Sequence, residues 1–167
     1  MFFLFVLDGV TTGLLITHVD DILVAVAGNC VAASDSIAKL KAKVMLTVTV
    51  PPFVYCGKTI RQESDGSIYV GMRDSVAALA TAHISKQRRA DKDDSLTEEE
   101  LHEMRSGFGS LGWVARQLRA DIAFDVSRGQ QAVGDARVNH LIMMNRVIVA
   151  ADPYFELAFR LDIVDWT

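Results

Sequence analysis

The sequence predicts an α+β fold in which a β-rich first half is followed by a helical second half. Through about residue 72, alternating apolar runs are separated by turn signals, which is typical of hairpins. From about residue 97, apolar residues recur at helical spacing instead. A final alternating segment from Phe155 to Ile163 predicts a closing strand. We therefore divide the chain into two regions, residues 1–72 and residues 73–167.

The composition indicates a globular protein, because 50% of the 167 residues are hydrophobic and 23% are charged. The net charge of −4 gives no general attraction to nucleic acid. The first residues lack the pattern of a secretory signal, and no run approaches the roughly 20 apolar residues of a membrane span. Cys30 and Cys56 form no C-x-x-C pair, and the histidines lack metal-ligand spacing. We expect a reducing compartment and interpret both cysteines as small buried hydrophobes.

The first region is predicted to contain two hairpins. The pair Asp20-Asp21 lies between apolar runs that end at Gly28-Asn29, and adjacent aspartates suit a tight turn better than a strand interior. Asp65-Gly66, between "KTIRQ" and "SIYVG", predicts a type I′ hairpin. Between the two hairpins we expect a short helix over residues 33–43 and then a strand in "VMLTVTV", which Pro51-Pro52 would end.

The second region is predicted to be helical. We expect a helix near residues 74–84, and a capping box from Thr97 to Glu100 begins a longer one. Its apolar face would contain Leu101, Met104, Phe108, Leu111, Val114 and Leu118. Further helices are expected at about 121–132 and 136–151, and Phe159 and Trp166 are assigned to the core.

The long helix also contains Gly107, Gly109 and Gly112, and each costs about 1 kcal/mol relative to alanine in a helix interior. We expect a neighbouring group to approach the backbone closely at these glycines.

Two neighbouring carboxylates on an apolar hairpin are expected to bind a cation, because burying them unpaired costs several kcal/mol. Magnesium is the natural candidate, since it prefers oxygen ligands and supports phosphoryl transfer. Asp20 and Asp21 are therefore the candidate catalytic and metal-binding residues. The alternative is a solvated turn that contains two acids by chance.

Several motifs together resemble the reverse transcriptase of copia-type retrotransposons. "HVDDIL" is similar to that family's [YF]-V-D-D-[IL] hairpin, and "FVYCGKTI" with "DGSIYV" resembles the strand and hairpin that follow it. "GSLGWVARQLRADIAF" resembles the family's G-S-L…R-P-D-I-A-F segment and is the most specific part. The likeness runs from about Gly13 to Ile163.

The resemblance implies a palm-like layer of antiparallel hairpins, then a helical thumb and connection, in an incomplete polymerase fold. It implies magnesium-dependent, RNA-directed DNA polymerisation, with Asp20 and Asp21 as metal-binding aspartates of the palm. An RNA or DNA template–primer and a deoxynucleoside triphosphate would be the partners, together with the remaining polymerase segments or a ribonuclease H domain. It also implies a cytoplasmic location, in a virus-like particle, or a nuclear one, and neither secretion nor a membrane partner.

Four residues are candidates for contact with nucleic acid. His18 stands where the family has Tyr or Phe, and Gly57 ends the segment that would lie near the primer terminus. Gly109 and Trp113 share a face of the thumb-like helix and could follow the sugar edge of a duplex. The alternative for His18 is a histidine that is hydrogen-bonded within a strand, and the alternative for the helix glycine is ordinary packing between helices. The basic cluster from Lys86 to Lys92 could bind phosphates or form a solvated loop, because seven acids follow within Asp91–Glu103.

Other features depart from the family. Ala120 replaces a proline, so we expect the helix break there to soften into a continuous helix, and Arg119 with Asp121 suggests a structural ion pair. The family's fingers and its third metal-binding aspartate would lie upstream of this sequence, and Asp8, in a turn pair with Gly9, is a poor substitute. We therefore expect the isolated chain to lack polymerase activity.

Whether the chain is itself an enzyme stays open. The alternatives are a non-catalytic relic of a retrotransposon that binds nucleic acid or protein, and a small metal-dependent hydrolase that uses the aspartate pair.

Overall fold

A computed structural model describes residues 1–27, 31–152 and 158–161, which form two antiparallel sheets and a group of helices. The first sheet has the order β1-β2-β3 and the second has the order β4-β5-β6-β7. The first contains β1 (Phe2–Leu7), β2 (Val10–His18) and β3 (Asp21–Val26). The second contains β4 (Phe53–Tyr55), β5 (Lys58–Gln62), β6 (Ile68–Gly71) and β7 (Ala158–Leu161). The α+β class is thus confirmed, and β7 closes the second sheet from the far end of the chain.

Six α-helices and two short 3₁₀ segments lie within the described residues. The helices are α1 (Val31–Lys43), α2 (Arg73–Ala77), α3 (Lys86–Ala90), α4 (Glu98–Gln117), α5 (Ala123–Gln131) and α6 (Val138–Ala151). The 3₁₀ segments, Ala120–Ile122 and Ala132–Asp135, flank α5. The predicted helices at 33–43, 121–132 and 136–151 are confirmed within a few residues.

The start of α4 follows from its capping box. The Thr97 hydroxyl accepts a hydrogen bond from the Glu100 backbone N–H at 3.2 Å, and the Glu100 carboxylate accepts one from the Thr97 N–H at 2.9 Å. Arg88 then binds both Glu100 carboxylate oxygens, at 3.0 and 2.8 Å, and these contacts hold the pKa of Glu100 below its usual value. The capping box and the Arg88–Glu100 pair therefore fix the residue at which α4 begins, and with it the position of the apolar face.

The hydrophobic core lies in the helical region. Of the predicted apolar face of α4, all but the half-buried Leu101 are buried: Met104, Phe108, Leu111, Val114 and Leu118. They pack against buried residues of α6 and its neighbours, including Leu141, Met144, Val147, Val126 and Ile122. In contrast, β1 exposes much of its apolar surface, with Phe2 at 65% and Leu4 at 58%. Burial is therefore concentrated between residues 72 and 151.

Two predicted elements of the first part of the chain differ from the structure. Residues 44–50 form no strand, although their apolar residues alternate. Alternation gives a segment one apolar face, but a strand also needs a neighbouring strand with which its backbone can form hydrogen bonds. The hairpin at Asp65-Gly66 exists, but its loop spans residues 63–67 rather than two residues. The Asp65 carboxylate accepts hydrogen bonds from the Ser67 N–H and hydroxyl, at 2.9 and 2.6 Å, which stabilises the wider loop.

The predicted helix at 74–84 is shorter than expected, because only Arg73–Ala77 are helical. Asn145 of α6 explains the difference. Its side chain accepts a hydrogen bond from the Ala82 N–H and donates one to the Ala82 carbonyl, both at 2.8 Å. Since both backbone groups of Ala82 are used in this tertiary contact, they cannot join a helical ladder.

The expected continuous helix across Ala120 is also wrong. The backbone breaks at Arg119, whose side chain is only 1% exposed. Its guanidinium donates to both carboxylate oxygens of Asp121, at 2.9 and 2.8 Å, and to the Ala151 carbonyl at 3.0 Å. The predicted Arg119–Asp121 ion pair is therefore confirmed, and these bonds account for a break without proline.

Some side-chain assignments need correction. Phe159 was assigned to the core but is 56% exposed, because β7 is an edge strand whose outer face no described residue covers. Cys56 is half-buried rather than buried, because it occupies a turn. Cys30, Trp166 and the turn pair Gly28-Asn29 lie outside the described residues.

Candidate functional site

A two-residue turn joins β2 to β3 at the aspartate pair, as predicted, with Asp20 in the turn and Asp21 as the first residue of β3. His18 at the end of β2 is paired with Asp21 at the start of β3, so Val19 and Asp20 form the turn. The strands on either side are half-buried, whereas both carboxylates are exposed. The hairpin thus anchors its apolar strands in the sheet and presents its acids to solvent.

The tip of this hairpin is strained. Val19 has a φ angle of +55°, in the left-handed region, where a β-branched side chain is a genuine outlier. Its side chain is 91% exposed, so no packing interaction offsets the cost. Such outliers concentrate at functional sites and switch regions, where the surrounding structure maintains them.

The aspartates can serve as oxygen ligands for magnesium. Magnesium commonly binds one or two carboxylates and completes its octahedron with water and substrate phosphates. Two exposed acids at a hairpin turn fit that requirement. Within the described residues, no group of three or more His, Cys, Asp or Glu side chains comes together as a metal site.

A second hairpin turn lies between β4 and β5. Tyr55 is paired with Lys58, so Cys56 and Gly57 form the turn, with φ angles of +48° and +72°. Two successive positive φ angles define a type I′ turn, which matches the right-handed twist of the strands. Gly57 suits the second of these positions because it has no Cβ.

Tyr55 ends β4, directly before the Cys56-Gly57 turn. Its hydroxyl oxygen is buried and makes no hydrogen bond of ordinary geometry with any residue that the structure describes. Burial raises the pKa of Tyr55 above 10.0, and the adjacent Cys56 and the negative charge of Asp21 add to the effect.

Trp113 joins α4 to the β4–β5 hairpin. A Cβ added to Gly57 would lie 3.7 Å from the Trp113 Nε1, so the indole rests against the turn. The Lys58 ammonium lies 5.9 Å from the centre of the indole ring, within cation–π range. The indole still exposes 44% of its surface. The Trp113 ring, the Lys58 ammonium and the backbone of Gly57, which has no side chain, thus meet at the β4–β5 turn.

The three glycines of α4 have different environments. A Cβ on Gly107 would collide with the Met144 side chain, and one on Gly112 would collide with the Gln130 amide. Close approach is therefore confirmed at these two positions, and helix packing explains both. Gly109 has nothing within 4 Å of such a Cβ and is exposed one turn before Trp113. Of the three, only Gly109 adds to the open surface.

One residue of the basic cluster, Arg88, has a structural role. Arg88 donates to Glu100, to Asp94 at 3.2 Å and to the Ser95 carbonyl at 2.6 Å, so it supports the loop before α4. Asp94 and Glu100, two of the acids that follow the cluster, are thus partners of Arg88. This outcome favours the structural interpretation for Arg88, while Lys86, Arg89 and Lys92 are exposed.

The structure brings two of the predicted site residues, Gly57 and Trp113, together. Gly109 shares the exposed face of α4 with Trp113, whereas Asp20 and Asp21 lie at the β2–β3 turn of the other sheet. The His18 side chain is exposed beside the aspartates and makes no hydrogen bond within the described part of the chain. Three neighbours of these residues, Tyr55, Lys58 and Val19, were not predicted as site residues. The signal for Tyr55 is an aromatic residue directly before the Cys56-Gly57 turn.

Comparisons of the chain with protein-family models, with curated proteins and with solved structures gave no match. Among the described helices, none is long and apolar enough to span a membrane. The functional assignment therefore rests on the residues and their geometry.

Proposed function

We propose that this chain is the palm, thumb and connection part of a copia-type reverse transcriptase, in which Asp20 and Asp21 bind magnesium. The observation that carries the proposal is the aspartate pair at the turn of an apolar hairpin. It is supported by the contact between Gly57 and Trp113, two residues that the resemblance assigns to the path of the nucleic acid.

The proposed roles follow from the chemistry of the side chains. The carboxylates of Asp20 and Asp21 would hold magnesium, which when bound stabilises negative charge on phosphate oxygens. The exposed indole of Trp113 offers a flat surface for a sugar or base, and Lys58 adds a positive charge beside it. Tyr55 adds no negative charge at neutral pH, because the ordinary pKa of a tyrosine is about 10 and burial raises the pKa of Tyr55 further.

Magnesium binding tests the metal site directly. We expect calorimetry to detect heat from Mg²⁺ binding to the whole chain, and we expect Asp20→Asn with Asp21→Asn to abolish it, because neutral amides attract the ion far less. Asp8→Asn is a matched control, since Asp8 lies in the other hairpin turn of the same sheet, with a φ angle of +52°. Equal heats from the wild type and the double variant would refute the metal site.

Primer extension tests the activity of the chain by itself. The resemblance implies three metal-binding aspartates, and two carboxylates hold two ions poorly, so we expect no template-dependent extension of a primer. Extension that disappears in Asp20→Asn would contradict this expectation. Salt-sensitive duplex binding that is unchanged in the double aspartate variant would instead favour the non-catalytic, nucleic-acid-binding relic.

A further inference from the structure

A groove between α5 and α6 lies apart from the candidate site. It has a volume of about 470 Å³, and its polar lining consists of Asp125, Arg128, Asn139, His140 and Arg146. Asp125 and Arg128 are three residues apart on α5, and Asn139 and Arg146 are seven apart on α6, so each pair shares one helix face. Two helix faces therefore direct these polar residues into one concavity.

The two arginines are available for a ligand. Arg128 and Arg146 are both exposed, and neither has an ion pair or hydrogen bond with the described residues. In this they differ from Arg88 and Arg119, whose guanidinium groups are bound to carboxylates of their own chain. Two guanidinium groups in one groove repel each other unless an anion lies between them.

The other polar groups are mostly donors. The His140 Nδ1 accepts a hydrogen bond from the Arg137 backbone N–H at 3.1 Å, so the neutral ring carries its proton on Nε2. The Asn139 side chain has no partner in the described part of the chain and can donate through its amide. Asp125 is the one carboxylate in the lining. Donors and positive charge thus outnumber acceptors.

The rest of the groove lining is apolar. Met143, Val147 and Ala150 of α6 complete the lining. A low-dielectric lining strengthens the interaction of the arginines with an anion, because less water screens it. The planar guanidinium fork matches the oxygen geometry of a phosphate group and can bind it through two parallel hydrogen bonds.

We propose that the α5–α6 groove binds a phosphate group through Arg128 and Arg146, with Asn139 and the His140 Nε2–H as additional donors. This site does not depend on the proposed polymerase function. The phosphate could belong to a free anion or nucleotide, or to the backbone of a nucleic acid, since the recognising chemistry is the same.

The test is a titration of the whole chain with three phosphate-containing probes. Binding is detected as changes in the amide chemical shifts in NMR spectra. The probes are inorganic phosphate, a deoxynucleoside triphosphate without metal, and a short DNA duplex. We expect shifts centred on Arg128, Asn139 and Arg146, and an affinity about tenfold lower in Arg128→Gln with Arg146→Gln. Asp125→Asn should raise the affinity, because it removes the one negative charge from the groove.

Arg105→Gln is the matched control, because Arg105 is exposed on α4, outside the groove. It should leave the affinity unchanged. Tighter binding of the duplex that weakens steeply with salt would identify the backbone as the source of the phosphate, and equal binding of the smaller probes would identify a free phosphate. The proposal fails if no probe binds, or if the double arginine variant binds all three probes as the wild type does.

Discussion

Arg119→Met is expected to lower the free energy of unfolding by about 3 kcal/mol. The substitution removes a guanidinium that is 1% exposed and leaves the Ala151 carbonyl and the Asp121 carboxylate without their donor. Methionine fills much of the space, so the loss comes from hydrogen bonds rather than from a cavity. Urea denaturation followed by circular dichroism measures the change, and Arg105→Met, at an exposed position, should change stability by less than about 0.5 kcal/mol.

The effect of Arg119→Met should depend on pH. Hydrogen bonds from Arg119 hold the pKa of Asp121 below its usual value of 3.8 in the folded chain. A carboxylate with a lowered folded pKa stabilises the fold above its unfolded pKa, and this contribution is lost as the pH falls through the folded value. The difference in stability between wild type and variant should therefore be largest above about pH 5 and shrink below about pH 3. A difference that stays constant over this range would contradict the assigned role of the ion pair.

Gly129→Ala is expected to destabilise the chain by about 2–3 kcal/mol. A Cβ at this position of α5 would overlap the ring of Phe108, which is 1% exposed and enclosed by core residues. Because neither the ring nor the helix backbone can move freely, the helices must separate. Thermal and urea denaturation would measure the loss.

Gly109→Ala provides the matched control for Gly129→Ala. Gly109 also lies in a helix interior, but nothing is within 4 Å of an added Cβ. Alanine should therefore raise stability by about 0.5–1 kcal/mol, as helix propensity predicts. The assignment of Phe108 as the obstacle would be wrong if Gly129→Ala behaved like Gly109→Ala, and Phe108→Leu should partly restore the Gly129→Ala variant.

Local signals in the sequence predicted the parts of the fold that local interactions determine. The capping box at Thr97 and the period of apolar residues through Leu118 are properties of one segment, and both are confirmed. The aspartate pair was placed correctly at a turn for the same reason. The wider loop at Asp65 was not predicted. Its cause is that the Asp65 carboxylate accepts two hydrogen bonds from Ser67, and these compete with the two-residue turn.

The errors occur where a distant residue decides the local structure. Asn145 holds the backbone of Ala82 across 63 positions of sequence, and this contact excludes the longer helix. Ala151 helps to fix the break at Arg119 from 32 positions away. Neither contact leaves a periodic signal near the residue it affects.

The candidate site shows the same division. The aspartates were identified from their own neighbours in sequence, whereas the contact of Trp113 with Gly57 joins residues 56 positions apart and depends on how α4 meets the second sheet. The buried hydroxyl of Tyr55 was not identifiable in advance, because whether a tyrosine finds a hydrogen-bond partner depends on the packing around it.

The uneven burial of the chain has a consequence for how the aspartates are held. The helical core between residues 72 and 151 can form a cooperative unit, whereas the first sheet has little buried surface of its own. Backbone amides of β2 and β3 should therefore exchange with solvent through local opening at a lower free energy than those of α4 and α6. A ligand that binds the aspartate hairpin would slow that exchange and order the turn, so binding and folding of the hairpin would be thermodynamically coupled.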